Sequence, residues 1–238
     1  MAASVLVTGA RGGLGTAVTR RLLADGWRVV AAVRPPAASH APRDQGQVET
    51  APTGALTEVA ADVTDEADTA RLMATAAADP AAPLTAVVNL VGGYAEGGRV
   101  HETPVAEFEA QLRLNLRSAY VVTAAALPHL IAAGGGSVVC VGSRAAVRPF
   151  RGAAGYIVSK AALLALVDTL AVEYRDDGVR VNAVLPSVID TPANRAAQPT
   201  ADHSRWVPPE QIAEVIAALC SGTFAATSGA HIPVYGRA

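Results

Sequence analysis

The sequence predicts an α/β protein built on a doubly wound, seven-stranded parallel sheet, with residues 1–238 forming a single domain. Three observations predict it. Apolar runs of strand length alternate along the chain with longer segments of helical period. The first run, Val5-Leu6-Val7, leads directly into a glycine-rich turn that opens a helix. Further on, Val138 to Val141 ends at Gly142-Ser143, and a loop then leads to an apolar-periodic segment bearing Tyr156 and Lys160. A buried strand, a small polar residue, a loop and a helix form the layout of a site at the carboxyl edge of a parallel sheet.

The turn after the first strand reads Thr8-Gly9-Ala10-Arg11-Gly12-Gly13-Leu14-Gly15. Leu14, Val18 and Leu22 then recur at helical spacing until Gly26, a C-terminal stop. Between a strand and a helix start, such a turn lets backbone N–H groups approach phosphates, and the helix dipole favours their charge. Val29 to Val33 is the second strand, and Arg34 follows it. In a dinucleotide fold this position faces the adenosine ribose, where an acid binds the 2′-hydroxyl and an arginine accommodates a 2′-phosphate. Val33-Arg34, with no acid beside it in the sequence, favours the phosphorylated dinucleotide. From Pro35 to Ala55 the chain is polar, carries four prolines and has no clean period, so a variable loop with at most a short helix is expected.

Leu56 to Ala61 reads as the third strand, ending in Asp62-Val63-Thr64-Asp65, where Thr64 or Asp65 is placed to cap a helix through Leu72 and Met73. Thr85 to Leu90 is the fourth strand, and Asn89-Leu90-Val91-Gly92-Gly93-Tyr94 opens its loop. A long helical segment covers about Pro104 to Ala133, with Asn115 in its middle. Asparagine is a poor helix former, so its place there signals local backbone bonding or a functional distortion. After the Val138–Val141 strand and the Tyr156 helix, Val179 to Leu185 is the sixth strand. Pro186-Ser187-Val188-Ile189-Asp190-Thr191 leaves it, and a loop runs to Trp206. Pro208-Pro209-Glu210 begins a helix ending near Gly222, and Ile232-Pro233-Val234 is the last strand.

Composition removes several function classes. Hydrophobic residues make up 51% of the chain, enough for a large core. The net charge of -2 comes from 19 basic and 21 acidic residues without a basic block, so neither nucleic acid nor an anionic membrane surface is an expected partner. Aromatic residues are 4%, which argues against base stacking as a binding mode. Cys140 and Cys220 sit in apolar segments as core hydrophobes of a reducing compartment, and the five histidines show no metal-ligand spacing. The most apolar stretch taken from the sequence, Ala119 to Ala133, is interrupted by Pro128 and His129 and is too short to span a bilayer. With no leader pattern before Ser4, a cytoplasmic protein is expected.

Tyr156 and Lys160 are four residues apart and share a helix face. A phenol has a pKa of about 10 unperturbed, and a neighbouring ammonium is expected to lower it, giving a proton donor. Many helices carry such a pair as ordinary packing and a solvated lysine. The glycine turn at the first strand–helix junction, which supplies a place for a dinucleotide, is what makes the pair a site.

With these positions in line, the chain resembles the short-chain dehydrogenase/reductase family over nearly its full length, and so a Rossmann-like fold. Thr8-Gly9-x-x-x-Gly13-x-Gly15 is similar to its cofactor loop, Asp62-Val63 to its adenine-contacting pair, and Asn89 with Gly92 to an altered Asn-Asn-Ala-Gly motif. Asn115, Ser143, Tyr156 and Lys160 match the family's catalytic set. The resemblance implies cofactor contacts from Gly9, Arg11, Gly12, Gly13, Leu14, Gly15, Arg34, Asp62, Val63, Asn89, Val91 and Gly92, from Tyr156 and Lys160, and from Pro186, Ile189 and Thr191 beside the nicotinamide. Leu90 and Val91 depart from the usual Asn-Ala, and Ser187 from the usual glycine after Pro186.

That resemblance implies an NAD(P)-dependent oxidoreductase of ketoreductase type, moving a hydride between nicotinamide and a carbonyl or secondary alcohol carbon. Tyr156 is expected to protonate the alkoxide, Ser143 to hold its oxygen, and Lys160 to bind the ribose and lower the Tyr156 pKa. Asn115 is expected to hold a water that refills the proton through Lys160. NADP(H) is the preferred cofactor on the strength of Arg34 and Arg11, with NAD(H) possible. The Asp190–Arg195 segment, Ala201-Asp202, Trp206 and Gly92-Gly93-Tyr94-Ala95 are also similar to a dihydropteridine reductase branch, the alternative reading; a non-catalytic NAD(P)-binding sensor or scaffold is the alternative of another class. Tyr94, Phe150 and Trp206 are candidates for an apolar pocket wall. The family implies a homotetramer, or a dimer, assembled through the helices around Asn115 and Tyr156.

Overall fold

The computed structural model describes residues 3–34 and 55–237. Of the variable loop expected from Pro35 to Ala55, residues 35–54 lie outside the described residues. Seven strands form one sheet in the order β3-β2-β1-β4-β5-β6-β7, and every pairing is parallel. They are β1 (Ser4–Thr8), β2 (Arg28–Val33), β3 (Leu56–Ala60), β4 (Leu84–Asn89), β5 (Gly136–Val141), β6 (Val179–Pro186) and β7 (His231–Val234). The central strands are rich in Val, Leu and Ala on both faces because helices cover both, which removes the need for alternation. After β1 the chain builds outward through β2 and β3, then returns to place β4 on the other side of β1. The reversal opens a crevice above the carboxyl ends of β1 and β4, where an open α/β sheet binds ligands.

Two apolar layers flank the sheet. Helices α1 (Gly13–Ala24) and α7 (Pro209–Cys220) bury Val18, Leu22, Ile212 and Ile216 against Val5, Val7, Val29 and Ala31. On the opposite face, α2 (Glu66–Ala76), α4 (Ser118–Ala132) and α5 (Ala154–Glu173) pack Leu72, Val122, Leu130, Leu163 and Val167 against Leu6, Val87, Val138 and Val181. A short helix, α6 (Pro192–Ala197), lies between β6 and α7. Polar groups join the layers: buried Ser137 donates to the Leu219 carbonyl at 2.9 Å, and half-buried Arg180 to the carbonyls of Leu219 and Ser221 at the end of α7. Asp65, one of the two expected caps, accepts from the Asp68 N–H at 2.9 Å.

One expectation is corrected. The long helix around Asn115 is three pieces: α3 (Val105–Leu112), a π-helical turn at Arg113–Arg117, and α4. The cause is Asn115 itself, whose side chain bonds a neighbouring loop while the backbone widens around it. By length and composition α5 passes for a membrane span, yet it lies along β6 and buries Ser159, Lys160, Leu163, Leu164 and Val167.

Candidate active site

The floor of the crevice is made by glycine. Gly9 has φ +67°, in the left-handed region that favours a residue without Cβ. At Gly15 a Cβ would lie 2.1 Å from the Gly9 carbonyl oxygen, so only glycine lets the turn fold onto the start of α1. No side chain caps that helix start: Gly12 occupies the cap, leaving the positive end of the dipole toward the crevice. Leu14 is buried beneath the turn. Glycine backbone, an uncapped helix start and a topological switch point together fit a dinucleotide diphosphate.

The rim residues are positioned by small polar contacts. Thr8 at the end of β1 accepts from the N–H groups of Leu90 and Val91 at 3.1 and 3.3 Å, tying the two strands at the switch point. Asn89 is buried and donates to Thr123 Oγ1 at 2.9 Å, so its amide joins β4 to α4. Asp62 accepts from the N–H and hydroxyl of Thr64 at 2.9 and 2.8 Å, which holds its carboxyl below the usual range, and Val63 is buried beside it. Arg34 is exposed where β2 ends. Arg11 is held in a two-point ion pair with Glu58 of β3, with Nε donating to Oε1 at 3.0 Å and Nη2 to Oε2.

From the other side the loop after β6 closes on the turn. Pro186 is buried, and Ile189 forms a parallel bridge with Val207 that pins the base of the loop. Thr191 accepts from the Asn194 N–H as the cap of α6, and its methyl group lies against Gly13, where a Cβ would come within 2.6 Å. Trp206 is buried with its ring 4.3 Å from that of His203, so it packs the base of this loop.

Ser143, Tyr156, Lys160 and Asn115 converge at the carboxyl ends of β4 and β5. Ser143 caps the short turn at Arg144–Ala146 through the Ala145 N–H, and its hydroxyl is hydrogen-bonded to the Tyr156 phenol. Lys160 is buried and donates to the Val141 carbonyl at 2.8 Å. Burial lowers its pKa to about 8, with Cys140 acting the other way. Asn115 accepts from the Gly93 N–H at 2.9 Å and donates toward the Gly93 carbonyl, Gln111 and Ser159. Gly92 sits between them: a Cβ there would be 2.8 Å from Asn115 Oδ1 and 3.1 Å from Lys160 Nζ.

One expected shift is reversed. The Tyr156 pKa is raised, because burial of the phenol outweighs the Ser143 hydrogen bond that lowers it. The role expected of Lys160's charge is not what governs Tyr156 here: the ammonium is turned to Val141 and is itself weakened by burial. Asn115 likewise acts through its side chain as a clamp on the Gly92-Gly93 loop.

On the open side of Tyr156 stands Tyr94, edge-on with ring centroids 5.1 Å apart at 90°, and Phe150 lies 6.4 Å from Tyr94. The Tyr94 hydroxyl donates to the Glu96 carboxylate. Sequence reading did not single out Glu58, Glu96, Gln111 or Ser159. Glu58 and Ser159 act on partners 47 and 44 positions away, for which no local spacing gives a signal, whereas Glu96 and Gln111 lie 2 and 4 positions from theirs.

A glycine cradle at the switch point and a hydrogen-bonded Ser–Tyr pair beside a buried lysine define a dinucleotide-dependent oxidoreductase of the α/β class. The family model for short chain dehydrogenases matches residues 3–202, and the chain belongs to the short-chain dehydrogenase/reductase family. It is 35% identical over 200 residues to a 2-(R)-hydroxypropyl-CoM dehydrogenase of Xanthobacter autotrophicus, covering 81% of this chain and 76% of that one. It is 36% identical to a cis-4-hydroxycyclohexanecarboxylate dehydrogenase of Sinomonas cyclohexanicum over 97% of this chain and 94% of the relative. Among solved structures, a short-chain type dehydrogenase/reductase from Mycobacterium ulcerans superposes with a TM-score of 0.88 at 27% identity, covering 100% and 90% of the two chains.

Proposed function

We propose that this protein is an NADPH-dependent ketoreductase-type enzyme acting on a small carbonyl compound or the corresponding secondary alcohol. The observation that carries the reading is the half-buried Tyr156 phenol, bonded to Ser143 with the buried Lys160 on the same helix, at the mouth of the glycine-floored crevice. The nicotinamide, when bound, supplies or takes the hydride. The turn from Gly9 to Gly15 holds its diphosphate, Asp62 and Val63 border the adenine, and Pro186, Ile189 and Thr191 border the nicotinamide end.

In the direction of reduction Tyr156 donates its proton to the developing alkoxide. A raised pKa keeps the phenol protonated before that step, and Ser143 steadies the same oxygen. Lys160 lies four residues on, with a pKa brought near neutrality, and is suited to return a proton toward Tyr156. Asn115 sets the Gly92-Gly93 backbone against it. Tyr94 and Phe150 form an aromatic wall beside the reacting phenol and favour an apolar substrate body. Both relatives named above are dehydrogenases of hydroxy compounds, which agrees with this reaction class.

Preference for NADPH rests on Arg34 at the end of β2, with a smaller share from Arg11, whose charge is already shared with Glu58. The protein works in the cytoplasm and assembles as a homotetramer in this reading. Absorbance of NADPH and NADH, followed against ketones, quinones and quinonoid pterins, tests the activity. Turnover of a ketone with kcat/KM favouring NADPH is expected, and Arg34→Asp is expected to reverse that order. Absence of turnover with the whole panel overturns the reaction class, and an NADH preference in the wild type overturns the cofactor assignment.

A further inference from the structure

We propose that Glu58 is a cofactor-specificity residue, which holds Arg11 of the glycine turn in an ion pair and thereby limits how strongly the protein prefers a 2′-phosphorylated dinucleotide. The inference rests on the nicotinamide-dependent reading above. Three features of the fold carry it.

The first is place. Glu58 is opposite Ala31 in the parallel register, and directly paired residues of neighbouring strands point to the same face. Ala31 packs in the layer beneath α1, and so does Leu56, two residues before Glu58. Glu58 therefore stands on the α1 face of the edge strand, facing the turn that opens that helix. Arg11 reaches it across β2, where the short side chain of Ala31 is the β2 group paired with Glu58 on that face.

The second is chemistry. Where a dinucleotide fold selects the unphosphorylated cofactor, a carboxylate at the end of β2 accepts from the ribose hydroxyls. Here Arg34 holds that position, and the one carboxylate carried by the neighbouring strand β3 is Glu58. A 2′-phosphate carries up to two negative charges at neutral pH. It gains from Arg34 and Arg11 but is repelled by Glu58, and it must share the Arg11 guanidinium with that carboxylate. Ribose hydroxyls carry no such penalty and are acceptable to Glu58 as donors.

The third is the state of the pair. Both side chains are partly exposed, 41% for Arg11 and 31% for Glu58, so solvent screens the pair and a ligand phosphate is able to compete for the arginine. A fully buried pair would be part of the core instead.

The experiment measures dissociation constants of NADPH and NADH by fluorescence of the bound reduced nicotinamide, for the full-length wild type, Glu58→Gln, Arg11→Ala and the double variant, at low and high salt. Glu58→Gln is expected to tighten NADPH about threefold to fivefold while NADH stays level or weakens, the range an exposed charge interaction supplies. Arg11→Ala, which leaves Glu58 unpaired, is expected to weaken NADPH, and adding Glu58→Gln to it restores part of the loss. These differences shrink as salt rises. An NADPH-to-NADH ratio of dissociation constants that stays within about 1.5-fold in Glu58→Gln overturns the proposal, since a merely structural pair would leave that ratio alone. A wild type that binds neither dinucleotide overturns the nicotinamide reading along with it, and the two failures are told apart by the wild-type measurement.

Discussion

At the scale of single residues, the chemistry is set by how much of each group is buried. Tyr156 is a protonated phenol whose pKa is raised further by partial burial, and its hydroxyl is held by Ser143. Replacing it with Phe removes the proton and keeps the ring, so the Tyr94 contact and the helix packing survive. Tyr156→Phe is expected to lower kcat by ~100-fold or more with cofactor binding retained, and steady-state kinetics beside a cofactor titration checks this. Lys160 allows a stability test. Its pKa falls from the ordinary 10.5 to about 8 on burial, so between these values the unfolded chain binds more protons than the folded one. The Lys160 contribution therefore rises with pH from about 8 upward, and below that the buried charge is a burden. Cys140 and Cys220, raised to about 11 and about 12, pull the other way above about 9, because there the folded chain binds the extra protons. Urea unfolding of the wild type and Lys160→Met at pH 7, 8 and 9 separates the two effects. The stability advantage of the methionine variant is expected to shrink by about 1 kcal/mol over that range.

At the scale of elements, the site depends on two places where the backbone is pulled out of regular form. One is the turn between β1 and α1. The other is the π turn at Arg113–Arg117, which brings Asn115 against the Gly92-Gly93 loop. Gly92→Ala would drive a methyl group into the Asn115 carboxamide and toward the Lys160 ammonium. It is expected to lower kcat at least tenfold with a modest change in melting temperature, since misplacing reacting groups by a fraction of an ångström weighs more on the reaction than on the fold. Kinetics together with calorimetry tests this; unchanged kcat would show that the loop and Lys160 are not coupled. The strands and most helix limits were legible in the sequence because apolar runs and glycine stops are local signals. The break at Asn115 was legible only as an anomaly, since nothing nearby in sequence says that its partners are Gly93 and Ser159.

At the scale of the whole molecule, α4 and α5 expose Tyr120 at 57% and Val158 at 44%, with Val105 of α3 at 70%. Apolar groups on the solvent side of helices that already cover the sheet are what the proposed homotetramer would bury. Light scattering at micromolar concentration is expected to give four times the 24.1 kDa chain mass, with Val158→Glu shifting the assembly to a smaller species. A wild-type monomer would refute this assembly.

The sequence by itself determined the sheet, its parallel sense and the order of strand and helix, because burial on both faces writes itself as continuous apolar runs. It also marked the glycine turn and the residues Asn115, Ser143, Tyr156 and Lys160, since each stands at a strand end or a helix position with a local signature. Tertiary structure decided which groups act on one another. Burial overrides the effect expected of Lys160's charge on Tyr156. Asn89 turns inward to Thr123, and Arg11 is claimed by Glu58 from a strand 47 residues away. These outcomes depend on distances across the sheet and on desolvation, which are properties of the packed chain and have no period along it.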